Sequence, residues 1–117
     1  MPPTVLIVDD HAAFRASASA LLEAEGFTVA GEAADGASAL AAVAALRPEV
    51  VLLDIQLPDR DGFSVASELA AGATPPVVVL ISSREARAYG SRIPQAAAHG
   101  FIPKRELSGA ALAALLD

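Results

Sequence analysis

The stretch VVLLDIQLPDRDG, residues 50–62, decides how this chain folds. Val50, Val51, Leu52 and Leu53 run without a polar break, and the run stops at Asp54. A strand that is apolar at every position is covered on both faces, as in a parallel sheet flanked by helices. A short loop with Pro58 and the Asp61-Gly62 pair then turns the chain into the next element. Asp54 is therefore a charge at the end of a buried strand, and such a charge calls for a partner.

The same pattern recurs on either side. Apolar runs rich in β-branched residues occupy 4–8, 27–32, 49–53, 77–81 and 100–102. Helical spacing fills the gaps between them: Phe14, Ala18, Leu21 and Leu22, then Leu40, Val43 and Leu46, then Val65, Ala66 and Leu69. Leu107, Ala111, Leu112 and Leu115 form a last stripe, whereas residues 85–93 carry only a thin one and end at Pro94. Gly26, Asp35-Gly36, Pro48, Gly72 with Pro75-Pro76, and Gly100 punctuate the series. Five βα units predict an α/β fold with a doubly wound, five-stranded parallel sheet of flavodoxin-like order 2-1-3-4-5.

The chain has 117 residues, enough for one domain with its own core, so 1–117 reads as a single domain. Apolar residues make up 54% and aromatic ones 4%, much of the apolar share being alanine. That suits close helix–sheet packing better than a large apolar cavity. The net charge of −6 argues against nucleic acid binding by this chain. Residues 1–68 hold eleven acids and three bases, and residues 69–117 hold three acids and five bases. With no cysteine there is no disulfide or thiolate chemistry. No run is long enough for a signal core or membrane span, so a cytoplasmic location and no membrane partner are expected.

In an open sheet of this order, ligands bind beyond the carboxyl ends of the strands, where the order reverses. Asp9-Asp10 follow the first strand, Asp54 the third, Ser82-Ser83 the fourth, and Lys104 the fifth. Taken singly, each has an ordinary reading: a helix cap, a loop start, turn residues, a solvated lysine. Jointly they gather three carboxylates, hydroxyls and an ammonium at one edge. Clustered carboxylates repel unless a cation joins them. An open set of oxygens suits magnesium, which keeps waters and takes a phosphate oxygen. The pattern reads as a site for moving a phosphoryl group. Asp59 and Asp61 read as loop and cap residues, His11 as part of the first turn of the first helix, and His99 as a loop residue. Neither histidine has a metal-ligand partner at useful spacing, and there is no glycine-rich phosphate loop and no Ser-His-Asp set.

VLIVDDH, VVLLDIQLPDRDG, VVVLISS and GFIPK together resemble the receiver domain of two-component response regulators. They stand in that family's order and span nearly the whole chain. VDDHAAFR is similar to the subgroup whose receivers precede a helix-turn-helix output domain. The resemblance implies a signalling switch in which Asp54 accepts phosphate from a histidine kinase or phosphotransfer protein. It implies that Asp10 and Asp9, Asp54 and the Gln56 carbonyl hold magnesium or manganese, and that Lys104 pairs with the phosphoryl group. Ser82 would be the switch hydroxyl, Phe101 the aromatic switch, and the Ser83 amide a phosphate donor.

Three departures stand out. Ser82 replaces the commoner threonine. Phe101 lacks a hydroxyl. Arg105 follows Lys104 where many members carry proline, so the approach to the last helix is expected to differ. The chain stops soon after that helix with no second domain, which fits a stand-alone receiver or part of a longer regulator. Gln56 and Arg84 should flank the path of water to phosphorus. Arg84 could shield it, stabilise developing charge and speed hydrolysis, or point to solvent, and shielding is the favoured reading. Arg84, Arg87, Arg92, Lys104 and Arg105 give the face built from the fourth helix, fifth strand and fifth helix a basic character. That face is either an ordinary solvated one or a surface that meets an acidic partner or pairs with a second copy, as a homodimer on phosphorylation. Two alternatives are weighed: a degenerate receiver that acts as an adaptor, and a phosphohydrolase with an aspartate nucleophile. The hydrolase would need a second carboxylate two residues on, where Gln56 stands.

Overall fold

The computed structural model of the chain describes residues 3–116. The expected span of 1–117 reaches past these at both ends, so residues 1, 2 and 117 lie outside the described residues. In chain order the elements are β1 (Thr4–Val8), α1 (Ala12–Ala24), β2 (Thr28–Ala33), α2 (Gly36–Leu46), β3 (Val50–Asp54), α3 (Gly62–Ala70), β4 (Val77–Ser82), β5 (Gly100–Pro103) and α4 (Gly109–Leu116). The strands form one parallel sheet of order β2-β1-β3-β4-β5, as the βα alternation predicts.

Side chains of a strand alternate between the two faces, and the core divides accordingly. Leu6, Val8, Val51, Leu53 and Leu80 pack with Ala39 of α2 and with Val65, Ala66 and Leu69 of α3. Val5, Ile7, Leu52, Val79 and Ile81 pack with Ala18 and Leu22 of α1 and Leu112 of α4. β1 and β3 are thus covered on both sides, which is why their sequences are unbroken apolar runs. β3 also reaches one residue further than expected, so Asp54 is its last residue and pairs with Ile81 across the sheet.

Local chemistry sets the helix starts. Asp35 caps α2 in a box with Ser38, accepting from its N–H at 2.7 Å. Asp61 caps α3 through the Ser64 N–H at 2.8 Å, as its cap reading predicted. His11 is the residue before α1 rather than part of its first turn, because its extended backbone (φ −95°, ψ 108°) leaves it outside the helix. Asp9 satisfies the His11 N–H instead of a donor inside α1.

One of the five expected helices does not form. In place of the fourth, residues Ala86–Arg92 wind as 3-10 turns broken at Gly90, whose φ of 57° and ψ of −129° no helix allows. None of the seven residues is buried. A helix is held mainly by the apolar stripe it packs, and this segment has almost none. The approach to α4 is likewise a 3-10 turn, Lys104–Glu106, and no peptide bond is cis among the described residues. No helix among them is long and apolar enough to cross a membrane.

Candidate functional site

The sheet order sets the carboxyl ends of β1, β3, β4 and β5 side by side. Asp9 just past β1, Asp54 ending β3 and Ser82 ending β4 are 0%, 3% and 0% exposed. Such burial requires partners. Asp9 Oδ1 accepts the His11 N–H at 2.8 Å, and Asp54 Oδ1 accepts the Gln56 N–H at 3.0 Å. Lys104, just past β5, donates to Asp54 Oδ2 at 3.2 Å and forms an ion pair with Asp9 Oδ2. Its ammonium also lies 4.7 Å from the centroid of the Phe14 ring.

The net effect of burial and these neighbours is to raise the proton affinity of both Asp54 and Lys104. Burial pushes the Asp54 carboxyl above its ordinary range and Asp9 adds to the rise; the Gln56 N–H and Lys104 oppose it without cancelling it. For Lys104, burial alone would lower the pKa. Asp9 and Asp54 outweigh burial, so the ammonium is held above its ordinary range.

Asp10 is exposed at the rim. Ligand atoms of Asp9, Asp10, His11 and Asp54 all lie within 4.8 Å of one another. His11 Nδ1 stands 3.2 Å from Asp9 Oδ1 and 3.1 Å from Asp10 Oδ1, so it joins a cluster from which the sequence reading had left it out. Three carboxylates and one ammonium leave two negative charges, which a divalent cation would balance. Buried Asp9 Oδ2 meets only the Lys104 ammonium and has no well-aligned hydrogen bond. A mostly oxygen donor set with this charge fits magnesium or manganese.

Ser82 Oγ accepts the Arg84 N–H at 3.0 Å and lies 2.6 Å from the Tyr89 hydroxyl. The Tyr89 ring meets Phe63 edge-on at 5.9 Å and Phe101 at 6.3 Å. Phe101 is half-buried beside it. Ser83, Gln56 and the Arg84 side chain are exposed. Gln56 and Arg84, with Ile55, Tyr89 and Arg92, line an open groove beside the acids.

Residues 5–116 match the profile of the response regulator receiver domain. The chain belongs to this family. The transcriptional regulatory protein PdtaR of Mycobacterium tuberculosis is 39% identical over 80 residues, covering 68% of this chain and 39% of the relative. A protein-glutamate methylesterase/protein-glutamine glutaminase of Anaeromyxobacter dehalogenans is 44% identical over 108 residues, 92% of this chain and 31% of that protein. The chain spans less than half the length of either. Among solved structures, the signal receiver domain of NarL from Mycobacterium tuberculosis superposes with a TM-score of 0.86 at 34% identity, covering 98% and 97% of the two chains. The response regulator domain of Thermotoga maritima CheB shares the fold, with a TM-score of 0.85 at 24% identity over 99% and 95%.

Within the receiver, several residues near the site escape a reading by motif. Arg15 donates to the Asp9 carbonyl at 2.6 Å and pairs with Glu32 at 2.9 Å, tying the end of β1 to β2. Helical spacing from Ala12 could have placed Arg15 near that end. Asp59, read as a loop residue, accepts the Gly36 and Ala37 N–H groups at 2.8 and 2.9 Å. These donors hold its carboxyl below the usual range and clamp the loop after β3 to the start of α2. Tyr89 offered no signal beyond being the one tyrosine.

Proposed function

We propose that this receiver is a phosphorylation-dependent switch whose acceptor is Asp54. The observation that carries the reading is the joining of Asp9, Asp54 and Lys104, from three strands, into one buried ion cluster. An Asp54 carboxylate oxygen attacks the phosphorus of a phosphohistidine on a histidine kinase or phosphotransfer protein. The new O–P bond forms as the P–N bond breaks, and the imidazole leaves and regains a proton from water. Asp9, Asp10, Asp54 and the Gln56 carbonyl would hold magnesium or manganese, which when bound neutralises charge on the phosphoryl oxygens. Lys104 is already within reach of Asp54 and would balance a further oxygen. The Ser83 N–H and the Ser82 hydroxyl are the remaining donors.

Phosphoryl contacts with Ser82 and Lys104 draw β4 and β5 termini inward and move the basic face beyond them. A hydrogen bond to a charged group contributes about 1.5–3 kcal/mol, and turning a 1:99 equilibrium into 99:1 takes about 5.5 kcal/mol. Two contacts approach that figure and one falls short. Phe101 follows Ser82 by repacking. Arg84 lies over the groove and slows hydrolysis, while uncharged Gln56 gives no base. Relatives named as transcriptional regulators suggest a DNA-binding output in a longer protein. Incubation with acetyl phosphate and magnesium, followed by intact mass, tests the reading. The parent should gain one phosphoryl group and Asp54→Asn none; equal incorporation by both would refute it.

A further inference from the structure

Tyr89 sits where a simple receiver switch needs nothing. Its hydroxyl is 2.6 Å from Ser82 Oγ, the buried hydroxyl nearest the acids on β4. Its ring stands edge-on between Phe63 of α3 and Phe101 of β5. It belongs to the irregular Ala86–Arg92 segment, which buries no residue of its own. The other ties of that stretch are at its margins: Arg92 over the Phe63 ring at 4.3 Å and against Asp61 at 3.3 Å, and Glu85 paired with Arg105. Next to Tyr89, Gly90 holds a backbone conformation closed to other residues.

We infer that Tyr89 is a positioning residue that holds the Ser82 hydroxyl in the resting state and ties the whole segment after β4 to it. This rests on Asp54 being the phosphoryl acceptor. Ser82 Oγ has one proton to give, and it already accepts the Arg84 N–H. Either hydroxyl can be the donor in the Ser82–Tyr89 contact. When Ser82 rotates to give its proton to a phosphoryl oxygen, Oγ swings out of reach of Tyr89 and the contact breaks. The tyrosine then leaves the aromatic slot, and an unpacked segment has little else to keep it. One hydrogen bond thus links the state of Asp54 to the conformation of residues 86–92. Losing a neutral hydrogen bond shifts an equilibrium about three- to tenfold.

The chain has one tyrosine and no tryptophan, so 3-fluorotyrosine gives a single fluorine resonance that reports Tyr89 alone. In the parent, that resonance should shift in step with the phosphorylated fraction, counted by intact mass after acetyl phosphate and magnesium. In unphosphorylated Ser82→Ala it should already be displaced, and phosphorylation should move it little further. Tyr89→Phe keeps the ring and removes the hydroxyl. It should bind beryllofluoride with magnesium about three- to tenfold more tightly than the parent. A parent that is phosphorylated with an unmoved resonance would sink the Tyr89 role and leave Asp54 as acceptor. So would a Tyr89→Phe affinity that is unchanged or weaker. A parent that takes no phosphate would sink the acceptor reading and this inference with it.

Discussion

At Asp54, burial and the nearby Asp9 carboxylate make ionisation harder, while the Gln56 N–H and Lys104 make it easier, and the first pair prevails. A carboxyl with a raised folded pKa keeps its proton after the unfolded chain has lost it. The native state then binds more protons, and stability falls as pH rises from the unfolded value to the folded one. Above that window the loss is complete. Asp54→Asn removes the loss while leaving Lys104 its Asp9 partner. In buffer with a chelator, the variant should melt above the parent at neutral pH, and the gap should close toward acid. Saturating magnesium should narrow the gap at neutral pH by stabilising the parent. A variant less stable than the parent under metal-free conditions would show that Asp54 is a net structural ion pair. The position of this residue was legible from the apolar run that it ends. Its tie to Lys104 was legible only as two strand ends brought together by sheet order, because fifty positions of sequence separate them.

The element that presents Asp54 is β3 with its return into α3. Gly62 closes that turn: its N–H donates to the Ile55 carbonyl at 2.7 Å. A Cβ there would lie 2.5 Å from the Asp54 carbonyl oxygen and 2.8 Å from Ile55 Cα. Both are backbone atoms, so the strand end itself would have to shift. Gly62→Ala should cost about 1–3 kcal/mol, as overpacking does, and should slow phosphate uptake beyond what reduced folding explains. Chemical unfolding beside single-turnover labelling at low temperature checks both. A variant with parental stability would contradict the close approach. The Asp-Gly pair announced this turn in sequence. The segment after β4 announced itself only as a weak helix, and it is not one. Gly90 breaks it, and no apolar stripe rewards its folding. The Ser82–Tyr89 contact belongs to that irregular stretch, which is why no periodicity exposed it.

Across the whole molecule, the alternation of strands and helices carried the topology. Each strand has a residue pattern that states whether one face or both are covered, and the crossovers then fix the order. The site is a consequence of that order: four strands end at one edge, and each brings one or two polar groups that are unremarkable alone. The sequence reading reached those groups because they stand at element ends. Arg15 carried no such signal, and Asp59 was legible as a loop residue but not as the clamp that holds the start of α2. That reading also set aside His11, whose closeness to Asp9 and Asp10 depends on how the chain turns before α1. The central claim is that this assembly makes one carboxylate, Asp54, the phosphoryl acceptor. The most direct measurement is to phosphorylate the parent with acetyl phosphate and magnesium, reduce the acyl phosphate with borohydride, and map the resulting homoserine by peptide sequencing in a mass spectrometer. The account predicts homoserine at position 54 and at no other aspartate. Homoserine at Asp9 or Asp10 with position 54 unmodified would contradict it.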